Sequence, residues 1–243
     1  MDKCGAFLFD ESNKGFTVIA HNGKAFDFYF IYDYLLKNGH TPELIMTGSK
    51  TLYMYLRKDL NICFLDSISF LPMALSKLPK TFGFEEEKHK SYFPHFFNSA
   101  DKDWEKEYDW PSPEDYGVDN MDADSRAKFM EWHSKQVGKK FHFGEEMAYY
   151  CALDVSILRI ACMRFKKILQ SVTGTVVEEH NKETNKMESE VVGGMDPFHS
   201  VTVASMCLNL FKYLFLEETW SVLLREDKEK AEALLRKGTS RCR

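Results

Sequence analysis

Two short constellations in the sequence set an acid beside residues that could serve a metal centre. The first is Ala20-His21-Asn22-Gly23-Lys24-Ala25-Phe26-Asp27. Residues 16–21 (FTVIAH) form an apolar, β-branched run closed by Asn-Gly, which reads as a strand ending in a turn. Phe-Asp at the head of the helical pattern that follows puts Asp27 at the carboxyl edge of a sheet, where α/β folds keep their sites. A carboxylate placed there suits a metal ligand. A structural reading stands beside it: Asp in a first helical turn is favoured by the helix dipole, and Asn is favoured by the turn. The second constellation is Tyr149-Tyr150-Cys151-Ala152-Leu153-Asp154. Tyr150 and Asp154 are four apart and share a helix face, with Asp154 flanked by Cys151 and Leu158 of an apolar stripe. A carboxylate in such a stripe is costly unless something coordinates it; a metal would explain it, with Tyr150 orienting a water. Alternatively, Asp154 lies at the margin of the stripe and pairs with Arg159 or solvent.

The elements that must carry these residues are legible in the periodicity. After Gly23, the residues Phe26, Tyr29, Phe30, Tyr34 and Leu35 recur at helical spacing, and Asn38-Gly39 supplies the stop. Strands are expected at about 43–47, 51–56 and 61–65, so strand, helix and strands together predict an α/β sheet. Signals over residues 71–97 are short and mixed, with LPMALSKLPKTFGF (71–84) reading as one or two brief helices. A segment rich in acids and Pro over 101–124 reads as a surface loop. Helices are expected at 122–137, capped by Asp122 or Asp124, and at 144–169, where 147, 151, 158, 162, 165 and 169 form the apolar stripe. These patterns predict a domain over 1–170. Residues 171–192 are polar and weakly periodic, a solvated insertion or linker. Residues 193–243 open with an apolar segment, helical from about 199, and end in a charged helix with a basic tail.

Composition narrows the classes. With 243 residues, 44% hydrophobic and 14% aromatic, the chain can bury a core. No apolar run approaches the roughly 20 residues of a membrane span, and the first residues lack a secretory pattern, so an intracellular location, nuclear or at a cytoplasmic or viral replication site, is expected rather than secretion. Six scattered cysteines without a Cys-x-x-Cys pair argue against zinc and for free thiols. The net charge is −5, yet residues 101–124 alone carry ten acids against two lysines. The remainder is slightly basic, which leaves nucleic acid open as a partner.

Taken together, Asn-x-x-x-Phe-Asp after an apolar strand and Tyr-x-x-x-Asp on a later helix resemble the second and third exonuclease motifs of B-family DNA polymerases. The blocks AHNGKAFDFYFIYDYLL, LDSISFLPMALSKLPKTFGF, KSYFPHFFN, MEWHSKQVGKKFHF, YYCALDVSILRIACMRF and DPFHSVTVASMCLNLFKYLF, in that order, resemble the protein-primed branch found in organellar, viral and Maverick/Polinton-type elements. The resemblance covers roughly residues 13–224. It implies a proofreading 3′–5′ exonuclease domain of ribonuclease H-like fold, truncated at its amino end, followed by the helical opening of a polymerase domain. In such enzymes four carboxylates hold two divalent metals, Mg2+ or Mn2+. By match, Asp27 and Asp154 are implied metal ligands and Tyr150 the residue that orients the attacking water. Asn22 and Phe26 are implied to hold the 3′-terminal nucleotide of single-stranded DNA. Ser67 and Ile68 match the Ser/Thr-Leu motif, with Ile for Leu, that contacts single-stranded DNA or a terminal priming protein. Lys90 in Lys-Ser-Tyr-Phe matches a lysine whose charge offsets that developing on the scissile phosphate.

The sequence departs from that pattern at the first acidic motif, Asp-x-Glu, which is absent from the 19 residues before Ala20. Asp10-Glu11 is adjacent rather than alternating, so its side chains point to opposite faces of a strand. The polymerase motifs Asp-x-x-Ser-Leu-Tyr-Pro and Asp-Thr-Asp are also absent. The expectation is therefore a fragment whose partners include the rest of the polymerase domain. It is expected to cleave weakly or not at all, or alternatively to act as a non-catalytic single-stranded DNA-binding or interaction relic of a mobile element.

Overall fold

The computed structural model describes residues 2–57, 60–84, 91–99, 101–181 and 186–215, with the backbone alone at position 2, at 178–181 and at 186–190. The fold is mixed α/β, and the chain divides into two compact units. One combines the residues up to Pro72 with those from Phe165 onward, and the other spans Met73–Arg164.

The first unit opens with α1 (Asp2–Leu8), β1 (Thr17–Ala20), α2 (Asp27–Lys37), β2 (Glu43–Thr47), β3 (Lys50–Leu56) and β4 (Ile62–Asp66). The strands form one sheet in the order β1-β4-β3-β2; β1 runs parallel to β4 and the other pairs are antiparallel. Alternation places Met54, Leu56, Ile62 and Phe64 on one face, where they bury against Phe28, Ile31 and Leu35 of α2. The sequence pattern of α2 is aromatic nearly all round, so its period does not fix its inner face. Phe28, Ile31 and Leu35 are inside, while Phe26, Tyr29 and Phe30 stand exposed. Phe9, after α1, stacks on Tyr34 at 5.8 Å and tilts against Phe64 at 5.9 Å, closing the core from the other end of α2.

The second unit contains α3 (Leu78–Thr81), β5 (Glu107–Asp109), α4 (Ala123–Ser134), β6 (Lys140–His142) and most of α5 (Phe143–Thr173). Its interior is aromatic. Phe93, Phe141, Phe143 and Tyr150 form one cluster, and Tyr116, Val118 and Phe129 another, joined by Tyr92 and Trp132. His133 is buried among these rings, and its Nε2–H donates to the Pro111 carbonyl at 2.8 Å. The acidic segment is not one open loop. Its acids face solvent, but β5 pairs with β6, while Tyr116 and Val118 are buried and Trp110 is half-buried. Alternating aromatic residues pull the backbone into the core while the acids stay wet. Asp122 caps α4, accepting the Ser125 N–H at 2.9 Å.

From Phe165 the chain belongs again to the first unit. The polar stretch forms a two-stranded hairpin, β7 (Thr175–Asn181) with β8 (Lys186–Val192). Valines at its base pair across the strands and supply β propensity. Phe198 then inserts its ring edge-on against Phe70 (5.6 Å) and Phe165 (6.3 Å), and Lys166 pairs with Asp196. α6 (Val203–Phe215) ends the described chain. Among the described residues no helix is long and apolar enough to cross a membrane.

The inner face of α5 in the second unit can be read by thiol chemistry. Cys151 is exposed, whereas Cys162 is buried and burial pushes its thiol up to about 12. At pH 8 the thiolate fraction of Cys162 is then about 10⁻⁴, so a water-soluble disulfide reagent labels Cys151 rapidly and leaves Cys162 unmodified until the chain is unfolded. Labelling of the two at equal rates in the native protein would place the opposite face of α5 inside.

Candidate functional site

The carboxyl end of β1 is where the first unit arranges its polar side chains. Ala20 lies in register with Asp66, the last residue of β4, so the turn leaving β1 and the turn leaving β4 start side by side. Asn22 occupies the left-handed region (φ 67°), which Asn tolerates best among residues with a side chain. Gly23, Lys24 and Ala25 form a single 3₁₀ turn leading into α2. A Cβ at Gly23 would lie 2.7 Å from the Ala20 Cβ and 2.8 Å from a Phe28 ring carbon, so only glycine lets the turn pack this closely.

Asp66 holds that turn. It is wholly buried, and its carboxylate accepts three backbone N–H groups: Asn22 at 2.9 Å and Ile68 at 3.0 Å on Oδ1, and Lys24 at 3.1 Å on Oδ2. Next to it, Ser67 donates its hydroxyl to the Ala20 carbonyl at 2.9 Å. Since that uses its only proton, His21 must donate its Nδ1–H to Ser67 Oγ across 2.8 Å. The pair Asp66-Ser67 thus joins both turns through main-chain groups.

The sequence-predicted residues fall into two groups. Asn22, Phe26, Asp27, Ser67 and Ile68 belong to the first unit. Asp27 is the exposed first residue of α2, and Phe26 before it is 66% exposed. Ser67 is fully buried and Ile68 half-buried, with the Ile68 N–H on Asp66. Tyr150 and Asp154 belong to the second unit, on α5. Tyr150 is buried, its ring 5.0 Å from Phe93 and 5.6 Å from His95. Asp154 is half-buried, with Oδ1 out of contact with solvent. It stands in line with Tyr150, Ile157 and Ala161, which are the buried positions here, rather than with exposed Cys151. Of the stripe read from the sequence, Cys162 and Leu169 are buried and Met147, Leu158 and Phe165 half-buried, while Cys151 is exposed. Glu146, one turn before Tyr150, continues the same line, and burial followed by the neighbouring Glu145 raises its carboxyl above the usual range. Lys90 lies outside the described residues.

Sequence reasoning passed over Asp66 and Glu146. An Asp that ends an apolar strand and precedes Ser was the available signal for the first, since such side chains bond backbone N–H groups two residues on. Among the described residues no three His, Cys, Asp or Glu side chains cluster as a metal-binding group.

The family model for type B DNA polymerases, organellar and viral, matches residues 11–237. The chain belongs to that family. Over 181 residues it is 28% identical to a probable DNA polymerase of Ascobolus immersus. That stretch is 68% of this chain and 14% of the relative, so the chain spans a small part of the relative's length. No solved structure matches. The six ordered sequence blocks thus lead to the family that the match supports.

The left-handed turn of this polymerase-family chain has a direct test. Asn22→Gly suits φ 67° and leaves stability within about 0.5 kcal/mol of the wild type, whereas β-branched Val at the same position costs about 1–2 kcal/mol. Urea denaturation followed by circular dichroism separates them. Equal midpoints for the two variants would mean that the turn is not left-handed.

Proposed function

We propose that this chain binds the 3′ end of single-stranded DNA as the 3′–5′ exonuclease portion, of ribonuclease H-like fold, of a type B DNA polymerase. One observation supports the reading above the others. At the carboxyl end of β1, a turn fixed through its backbone leaves the Phe26 ring 66% exposed and Asp27 open to solvent at the head of α2. An exposed ring offers a stacking platform for a base, and the platform is sequence-tolerant because every base has a π-face. An acid at its side is the group that a phosphodiester reaction needs close to the terminal nucleotide. In this reading Asn22 and Phe26 seat that nucleotide.

Asp27 and Asp154 offer hard oxygen donors, which fits Mg2+ or Mn2+ in kind. The described residues, however, supply no complete ligand set. No hydrolytic step is therefore assigned. The chain by itself is a binder of DNA ends first and a weak nuclease at most. A terminal priming protein and further polymerase segments are the partners consistent with this role.

Fluorescence anisotropy with a 5′-labelled oligonucleotide of about a dozen nucleotides tests it. Binding is expected at low salt, weakening as salt rises, with Phe26→Ala reducing affinity about 10-fold or more because base stacking contributes about 1–3 kcal/mol. Absence of binding by the wild-type chain at low salt would overturn the proposal. Rapid degradation of the same oligonucleotide with Mg2+ or Mn2+, abolished by Asp27→Ala or Asp154→Ala, would instead overturn the assignment of weak cleavage.

A further inference from the structure

We infer that Asp66 is the positioning residue for the DNA end, setting the geometry of Asn22, Phe26 and Asp27 without touching the strand itself. The inference rests on the single-strand reading above and deepens it. Three observations carry it. Asp66 is wholly buried, so its carboxylate is out of reach of a ligand on the surface. Its two oxygens are both committed to main-chain N–H groups, two of them in the turn that follows β1. And the side chains that the turn presents are outward: Phe26 is 66% exposed and Asp27 is exposed, so neither is held by packing of its own side chain. What fixes their direction is the backbone of residues 22–25, and that backbone is fixed by Asp66 together with the close approach at Gly23.

The isosteric change Asp66→Asn tests this at a single bond. If its remaining oxygen keeps the Oδ1 position, it retains Asn22 and Ile68, and the new NH₂ group meets the Lys24 N–H donor to donor. The turn then loses its anchor on the helix side while the volume of the side chain stays the same. Ile62→Val provides the control. It removes one methylene from a fully buried residue of the same strand and leaves the turn's hydrogen bonds alone.

Two measurements on the full chain read the outcome. Amide hydrogen exchange over residues 21–26 is expected to speed up at least 10-fold in Asp66→Asn and to stay within 2-fold of the wild type in Ile62→Val. Affinity for the 5′-labelled oligonucleotide is expected to fall about 10-fold in Asp66→Asn and to be unchanged in Ile62→Val, with thermal melts recorded for both. Unchanged exchange in Asp66→Asn overturns the anchor whatever the DNA does. Wild-type affinity in Asp66→Asn despite a loosened turn overturns the positioning role, as does an equal loss in Ile62→Val, which would reduce Asp66 to general stability. A wild-type chain that binds no oligonucleotide overturns the single-strand reading and the positioning role with it, while exchange still decides the anchor.

Discussion

A buried carboxylate has to be satisfied, and in the first unit that requirement organises everything at the carboxyl end of the sheet. Asp66 has no exposure, so leaving its oxygens unmet would cost several kcal/mol. The partners within reach are main-chain N–H groups, and donating three of them to one side chain dictates where two turns run. The turn after β4 closes on itself through Ile68. The turn after β1 bends back through a left-handed Asn22, and the Gly23 backbone comes too close to Ala20 and Phe28 for any larger residue. Ser67 completes the same junction by donating to the Ala20 carbonyl, and His21 donates in turn to the Ser67 hydroxyl. Charge-assisted bonds of this kind are roughly twice as strong as neutral ones, and they act here together with the close packing of Gly23 on Ala20 and Phe28.

The second unit solves a different problem with different means. Among the described residues its sheet has two short strands, β5 and β6, too little to be stable alone. Aromatic rings replace the missing sheet. Phe93, Phe141, Phe143 and Tyr150 on one side, and Tyr116, Phe129 and Trp132 on the other, meet mostly at tilted or edge-on angles with centroids near 5–6 Å. Such a core needs few residues per ring buried, and this is how an acidic segment can belong to it. The carboxylates at 101, 103, 107 and 109 point outward while Tyr108 and Trp110 point partly inward. Tyr116 shows the cost of that arrangement: burial raises its hydroxyl well above the usual phenol range.

How much of this could be read in the sequence follows from how each feature is encoded. β1, α2, β2, β3 and β4 were legible because β-branched runs and Asn-Gly or Gly-Ser punctuation mark them locally, and the helix caps at Asp122 and the N-terminus of α2 carry the usual acids. The exposed position of Asp27 at a sheet edge was legible for the same reason. What was not legible depends on distance. The inner face of α2 is chosen by partners far away in the chain, because that helix carries apolar residues on more than one face. Asp66 was missed because an Asp between a strand and a Ser reads as a local turn, whereas two of its three partners lie 42 and 44 residues earlier. The pairing of β5 with β6 likewise spans about thirty residues and leaves only a three-residue trace at each end.

Anchoring a turn through its main chain has a consequence for ligand recognition. A loop held by its own apolar side chains must spend them inward, and its surface is then polar by default. Here the hydrogen bonds to Asp66 do the holding, so Phe26 can remain exposed at little structural cost and Asp27 can stand open to solvent at the start of α2. Rigid backbone with free side chains is the arrangement that lowers the entropy lost on binding, because the groups that meet a ligand are already in place. On the proposed reading, such an edge suits a strand end that arrives as a flexible single strand and has to be ordered against a fixed surface.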